Sequence, residues 1–220
     1  MLKFKTFCFF TLITISGCSP GKKKDISSSP RDMMTLIPKI DKWMHDNKND
    51  SPATWLGMRY HGKTLYEPIN LIIIDTISRS AKASEDLIKH RFANAGFDTR
   101  QGHSANYKSK MDDQYFDQFP KLGSNEAFSN YIWSFTNDHA RLFGPYQKDS
   151  IYFWTGAASR ELGLAHNYLT FKGAVNEIKT QLVKFSSVKS LGQYNLNNTQ
   201  NNTSDTTGDH DGKAEVLQIK

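Results

Sequence analysis

The run Ile69-Asn70-Leu71-Ile72-Ile73-Ile74, entered through Pro68, constrains this fold more than any other stretch. An almost unbroken apolar run of strand length belongs to a strand buried on both faces, so other parts of the chain must cover it on two sides. A helix from about Ser80 to Ala95 is the first candidate cover. Ala83, Leu87, Ile88, Phe92 and Ala95 line one face, and Gly96 is placed to end it. A second helix from about Lys172 to Phe185 aligns Ala174, Ile178, Leu182 and Phe185. Phe97 begins another strand, and strand-like runs follow at Tyr131–Thr136, Ala140–Phe143 and Ser150–Thr155. Gly144-Pro145 is read as the turn between the last two. Upstream, Met33, Leu36, Ile37, Ile40, Trp43 and Met44 fall at helical spacing, with a break expected near Pro38. Residues 101–128 read as a long polar excursion. Beyond Leu191 apolar side chains nearly vanish, and 191–220 is expected to be a disordered polar tail. The expected fold is a single α+β domain over 31–190, with a mixed, partly antiparallel sheet packed by two or three helices.

The chain begins MLKFKTFCFFTLITISGCSP. Lys3 and Lys5, the apolar stretch Phe7–Ile15 and the small residues Ser16 and Gly17 follow the order of a secretory signal. That stretch is too short to cross a bilayer of about 30 Å as a helix. Ile15-Ser16-Gly17-Cys18 resembles the lipobox of bacterial lipoproteins. The resemblance implies that residues 1–17 are removed, that Cys18 is acylated, and that 18–30 is a tether to the bilayer. Two or three acyl chains make a durable anchor where one binds only marginally. By the same resemblance, Ser19 favours the outer membrane over retention at the inner one. Loss of Lys3 and Lys5 takes the formal charge from +6 to +4. Lys22, Lys23 and Lys24 serve equally well as a solvated spacer or as an attraction to anionic headgroups, at about 1 kcal/mol each.

Composition removes several function classes. A mean hydropathy of -0.58 excludes a polytopic membrane protein. The two cysteines, Cys8 and Cys18, both belong to the leader, which leaves the domain no disulfide, no thiolate nucleophile and no cysteine zinc site. There is no G-x-S-x-G, no H-E-x-x-H and no glycine-rich phosphate loop. Thr207–Gly212 imitates a calcium loop in Asp209, Asp211 and Gly212, but Thr207 and Gln218 occupy the positions that need acids. No cofactor and no metal is expected. Export and a modest positive charge disfavour nucleic acid.

One polar constellation remains: Asp138, His139, Arg141, Arg160, Glu161 and His166. Antiparallel strands joined near Pro145 bring these segments together, with His139 and Arg141 pointing the same way because strand side chains repeat every two residues. His139, Arg141, Arg160, Glu161 and His166 are the candidate ligand-binding residues. Arginines there can grip a carboxylate or phosphate bidentately. The two histidines could instead hold a metal with Glu161 or Asp138, or the whole set could be a salt-bridge network. Gly156-Ala157-Ala158 leaves room for a ligand or for another backbone. Tyr131, Trp133, Phe135, Tyr152, Phe153 and Trp154 sit at core spacing and are expected to pack inside rather than to form a binding platform. His103 is expected to be an exposed loop residue.

Two segments carry a wider resemblance. PINLIIIDT with the helix ending FANAGFD, and NDHARLFGPYQKDSIYFWTGAASRELGL followed by His166, are similar to the LssY C-terminal domain family over about 67–185. The long polar stretch 101–128 departs from that family's pattern. The resemblance implies a fold rather than an activity. The phosphatase domain that can accompany this family has no counterpart in these residues, so phosphatase activity is not carried over. The expected function is an envelope lipoprotein that binds a partner protein or a small anionic ligand. The alternative is an envelope hydrolase using His139, His166 and Glu161, with or without a metal.

Overall fold

A computed structural model of the chain describes residues 29–46, 50–104, 107–122 and 124–220, so the leader, Cys18 and most of the tether lie outside it. Strand accounts for 47% and helix for 20%, so sheet register rather than helix packing positions the side chains that matter. The apolar run forms β3 (Leu71–Asp75), every residue of it buried. On one side it pairs antiparallel with β10 (Ile151–Leu162), Leu71 opposite Gly156 and Asp75 opposite Tyr152. On the other it pairs parallel with β14 (Lys213–Ile219), Glu215 opposite Leu71. Among the described residues the main sheet runs β12 (Val188–Asn195), β14, β3, β10, β9 (Asn137–Lys148), β6 (Gln114–Phe119), β5 (Lys108–Met111). A smaller sheet joins β1 (Thr54–Tyr60), β2 (Lys63–Tyr66) and β13 (Asp205–Thr206).

The two expected helices cover one face. α2 (Ala81–Asn94) is capped by Ser80, whose hydroxyl accepts from the Ala83 amide at 3.1 Å, and Gly96 follows at φ 82°. α3 (Phe171–Phe185) is capped by Thr170. Ile88, Phe92, Ile178 and Leu182 pack on Leu71, Ile73, Leu142 and Trp154 to make one core. Phe185, expected on the buried stripe, is instead 53% exposed. The other face is covered by the N-terminal segment, with Met33, Ile37, Ile40 and Met44 packed on Ile72, Ile74 and Phe153. That segment is helical only over α1 (Pro30–Thr35), with a Ser29–Asp32 capping box and Pro30 at its start. Beyond it, Ile40, Trp43 and His45 are held by isolated bridges to Met111, Pro68 and Lys108. The break therefore falls just before Pro38, whose ring disfavours a helical Ile37.

Four sequence expectations are corrected. Residues 101–128 are not an excursion: β4 (Asp98–Ser104), β5, β6, β7 (Lys121–Leu122) and β8 (Ser124–Ser129) occupy that span, and His103 lies on β4 by its backbone. The stretch 191–220 is not a disordered tail, because β14 is the parallel neighbour of the central strand and buries Ala214, Val216, Leu217 and Ile219. Its polar side chains act as connectors. Asn198, wholly buried, donates to the carbonyls of Lys42 and Ile69 at 2.8 Å, and Asp209 accepts from the Phe171 amide at the start of α3 at 2.7 Å. Asp209, one of the acids in the imitation of a calcium loop, is thus committed to helix capping.

Gly144-Pro145 lies within β9, and the hairpin turns instead at Asp149-Ser150. A Cβ on Gly144 would come within 2.9 Å of the Trp154 ring, so glycine there lets that indole in. Finally, Tyr131–Thr136 is a loop, and Tyr131, Ile132, Trp133 and Phe135 are exposed, whereas Tyr152, Phe153 and Trp154 are buried as expected.

Candidate functional site

The β9–β10 register decides which members of the constellation meet. Asn137 pairs with Glu161, His139 with Ser159 and Arg141 with Ala157, so these side chains share one face of the sheet. Asp138 and Arg160 pair with each other and point to the opposite face. There they form a bidentate ion pair, Arg160 Nε to Asp138 Oδ1 at 2.7 Å and Nη2 to Oδ2 at 2.9 Å, close to Gly173 at the start of α3. The sheet therefore splits the predicted set, and Arg160 is corrected from a ligand-binding candidate to a structural partner of Asp138. Arg160→Ala should lower unfolding free energy by about 1.5–3 kcal/mol, the range for charge-assisted hydrogen bonds. It should leave any ligand-induced stabilisation unchanged, as urea unfolding with and without ligand will show.

His139, Arg141, Glu161 and His166 do come together. With Asn137 they line a small cleft that opens to solvent. Trp55 and Leu56 of β1, with Tyr131 and Trp133 of the exposed loop, form its apolar walls. The Gly156-Ala157-Ala158 stretch opens no ligand approach at Gly156, where a Cβ would lie 2.8 Å from Leu142. Its small residues serve sheet packing.

Asn137 organises the floor. Its Nδ2 donates to the Phe135 carbonyl at 3.1 Å and to Glu161 Oε1 at 3.0 Å, so its Oδ1 is the acceptor facing His139 Nδ1 at 3.1 Å. His139 must then carry its proton on Nδ1, which leaves Nε2 to accept from the Ser159 hydroxyl at 3.1 Å. Burial, with the Arg141 charge adding to it, holds the imidazole neutral and pushes its pKa down to about 3. With both ring nitrogens committed, His139 does not fit a metal shared with His166. Among the described residues no group of three metal-binding side chains is close enough to hold an ion.

Glu161 links the floor to the wall. Its Oε2 lies 2.9 Å from His166 Nδ1. Burial works against its charge, but His139, His166 and the Asn137 amide outweigh it and lower its pKa. His166 sits at φ 49°, its carbonyl accepts from Trp55 Nε1 at 2.7 Å, and its ring stacks on Trp133 at 6.0 Å. A left-handed backbone at a non-glycine residue is held only where its surroundings fix it.

The second charged pair of the cleft was not anticipated. Glu67, 1% exposed, receives Arg141 Nη1 at 3.0 Å. Its pKa is raised, first by burial and also by Glu161, with Arg141 opposing. The Arg141 guanidinium stacks on Tyr107 at 5.2 Å, and its buried Nε has no hydrogen-bond partner. Arg100 joins the cleft from β4, with Nε bonded to the Ser129 carbonyl at 3.2 Å. Period-two spacing from His139 points to Asn137. Glu67 carried only a weak signal, as the charge that flanks the apolar strand. Trp55 carried none, because β1 contacts the cleft across the fold. No family model, curated protein or solved structure matches the chain.

Proposed function

We propose that this chain is an envelope lipoprotein, anchored through acylated Cys18, whose single α+β domain binds a small organic anion in the cleft. The observation that supports this best is the incomplete pairing of Arg141. Its guanidinium is buried, its Nε has no hydrogen-bond partner, and among the described residues its carboxylate partner is Glu67, held by Nη1 alone. A buried cation with an unsatisfied donor is costly, and a carboxylate or phosphate entering the cleft offsets that cost while making charge-assisted hydrogen bonds. Trp55, Tyr131 and Trp133 would flank the ligand's flat or apolar part. The likeness of 67–185 to the LssY C-terminal domain family belongs to this proposal at the level of fold alone.

The test is thermal unfolding with benzoate, phenyl phosphate and octanoate. A ligand at a hundred times its Kd stabilises by about 2.7 kcal/mol. In a chain of this size that raises Tm by roughly 5–10 °C.

A hydrolase reading keeps one specific support, the chain Asn137–Glu161–His166, in which a carboxylate orients an imidazole at a cleft as in acid–base sites. His139 has no part in that reading, since its nitrogens are engaged. Turnover of nitrophenyl esters that disappears in His166→Gln, with no stabilisation by any of the three anions, would replace the binding proposal with this one.

A further inference from the structure

Two stretches that meet at the cleft mouth carry no charged side chain. Residues 129–137 and 162–171 contain no Asp, Glu, Lys or Arg, in a chain whose charged fraction is 23%. The same two stretches carry the most exposed large apolar side chains, among them Leu164 at 69% and Phe135 at 54%. They form one patch. The Tyr131 and Phe135 rings lie 5.2 Å apart, Trp133 stacks on His166, and the Ser134 carbonyl is 3.7 Å from where a Gly163 Cβ would stand. Soluble surfaces rarely gather so many large apolar side chains in one place without a partner.

We infer that this rim is a docking surface for the lipid bilayer, seating the cleft mouth against the membrane. This inference rests on the anchor in the functional proposal. Two observations choose the bilayer over a protein partner. Tyr, Trp and Phe among branched aliphatics, without charge, is the composition of side chains that settle at a membrane interface. The second is reach: Cys18 precedes Ser29, the first described residue, by eleven residues. At about 3.6 Å per residue this gives roughly 40 Å when fully extended. A domain of this size is itself about 40 Å across. An anchored domain therefore stays within about its own diameter of the bilayer, which keeps an apolar rim within reach of lipid.

The experiment uses the full chain, purified in detergent and reconstituted into phosphatidylethanolamine–phosphatidylglycerol vesicles. Mass measurement of the N-terminal peptide reports acylation of Cys18 and so tests the anchor by itself. Emission of Trp133 tests the rim, isolated as the difference between wild type and Trp133→Phe; buried Trp55 and Trp154 and half-buried Trp43 are common to both proteins and cancel in that difference. On vesicles whose lipids are brominated near the headgroup end of the acyl chains, Trp133 should lose most of its emission. The double variant Ile132→Ser, Leu164→Ser should regain it while remaining folded. Equal Trp133 emission on brominated and plain vesicles would overturn the inference, whether or not Cys18 is acylated. So would efficient crosslinking between copies through Ile132→Cys on the vesicles, which would make a second chain the occupant. A chain without acyl groups whose Trp133 is still quenched would remove the anchor and leave the rim standing.

Discussion

Arg141→Met is expected to cost about 3–5 kcal/mol of folding stability, the range for removing one partner of a buried ion pair. Arg141 and Glu67 have side chains only 10% and 2% exposed, so neither charge can turn to water when the other is lost. Methionine keeps most of the aliphatic stem, so the change is confined largely to the guanidinium, with its ion pair to Glu67 and its stacking on Tyr107. The double variant Arg141→Met, Glu67→Leu should recover most of the loss, because two well-packed apolar groups often replace a buried pair at little cost. Ligand behaviour separates the structural role from the binding role. If an organic anion binds Arg141, both methionine variants lose ligand-induced stabilisation completely, although the double variant is stable. Glu67→Gln should bind such an anion more tightly, by roughly tenfold or about 1.4 kcal/mol, because the internal competitor for the guanidinium is gone. Urea unfolding of the four proteins, with and without the anion, gives both answers. Arg141→Met within 1 kcal/mol of wild type would sink the account of the pair. Unchanged anion binding in the stable double variant would sink the account of the ligand.

The sequence made some of this arrangement legible because a few features depend only on local periodicity. Ile72 and Ile74 must meet one layer and Leu71 and Ile73 another, and both layers are present. Ser80 and Gly96 marked the ends of α2 because capping is local chemistry. His139 and Arg141 were placed together because the pleat alternates, and the same rule put Asp138 and Arg160 on the opposite face. That second consequence is masked by proximity in sequence, which sets Asp138 beside His139 and Arg160 beside Glu161. Glu67 reaches Arg141 across 74 positions of sequence, a distance at which period and spacing say nothing. The misjudged 191–220 stretch shows a different limit. Hydrophobicity scales read Asn198 and Asp209 as solvent-seeking, but Asn198 replaces a backbone partner in the interior and Asp209, itself exposed, accepts from the amide that opens α3. Tyr131, Trp133 and Phe135 failed in the opposite sense: their alternation matched a strand, but neighbouring segments leave them at the surface.

Acid should unfold this protein well above the pH at which its carboxylates titrate, and two histidines are the reason. His139 is held near a pKa of about 3 and His210 near about 4, both chiefly by burial. Above the ordinary imidazole value of about 6.5 both states are neutral and full stability is present. As pH falls below that value the unfolded chain takes up protons that the folded chain refuses, and stability declines until the folded values are reached. By pH 5 each histidine has removed about 2 kcal/mol, counting 1.36 kcal/mol per pH unit.

Two groups work the other way. His45, raised first by its hydrogen bond to Asp41, and Glu67, raised by burial, add stability on acidification. The lowered carboxylates Glu161 and Asp209 lose theirs only as pH falls below about 4. Between pH 6.5 and 5 the loss from His139 and His210 should therefore dominate, with His45 offsetting part of it.

Each histidine also holds a partner that the fold needs. His139 fixes Asn137 and through it Glu161. His210 Nε2 donates to Asn198 Oδ1 at 2.7 Å, and Asn198 ties the coil after β12 to Ile69. His210→Gln can keep that donor without gaining a proton, and His139→Asn can keep the donor to Asn137. Urea unfolding at pH 7.5, 6 and 5 should show each variant less stable than wild type at pH 7.5 but with a loss on acidification about 2 kcal/mol smaller. A wild-type stability that stays level from pH 7.5 to 5, or variants that fall as steeply as wild type, would mean that these imidazoles accept protons in the folded state and that the cleft floor is not the closed network described.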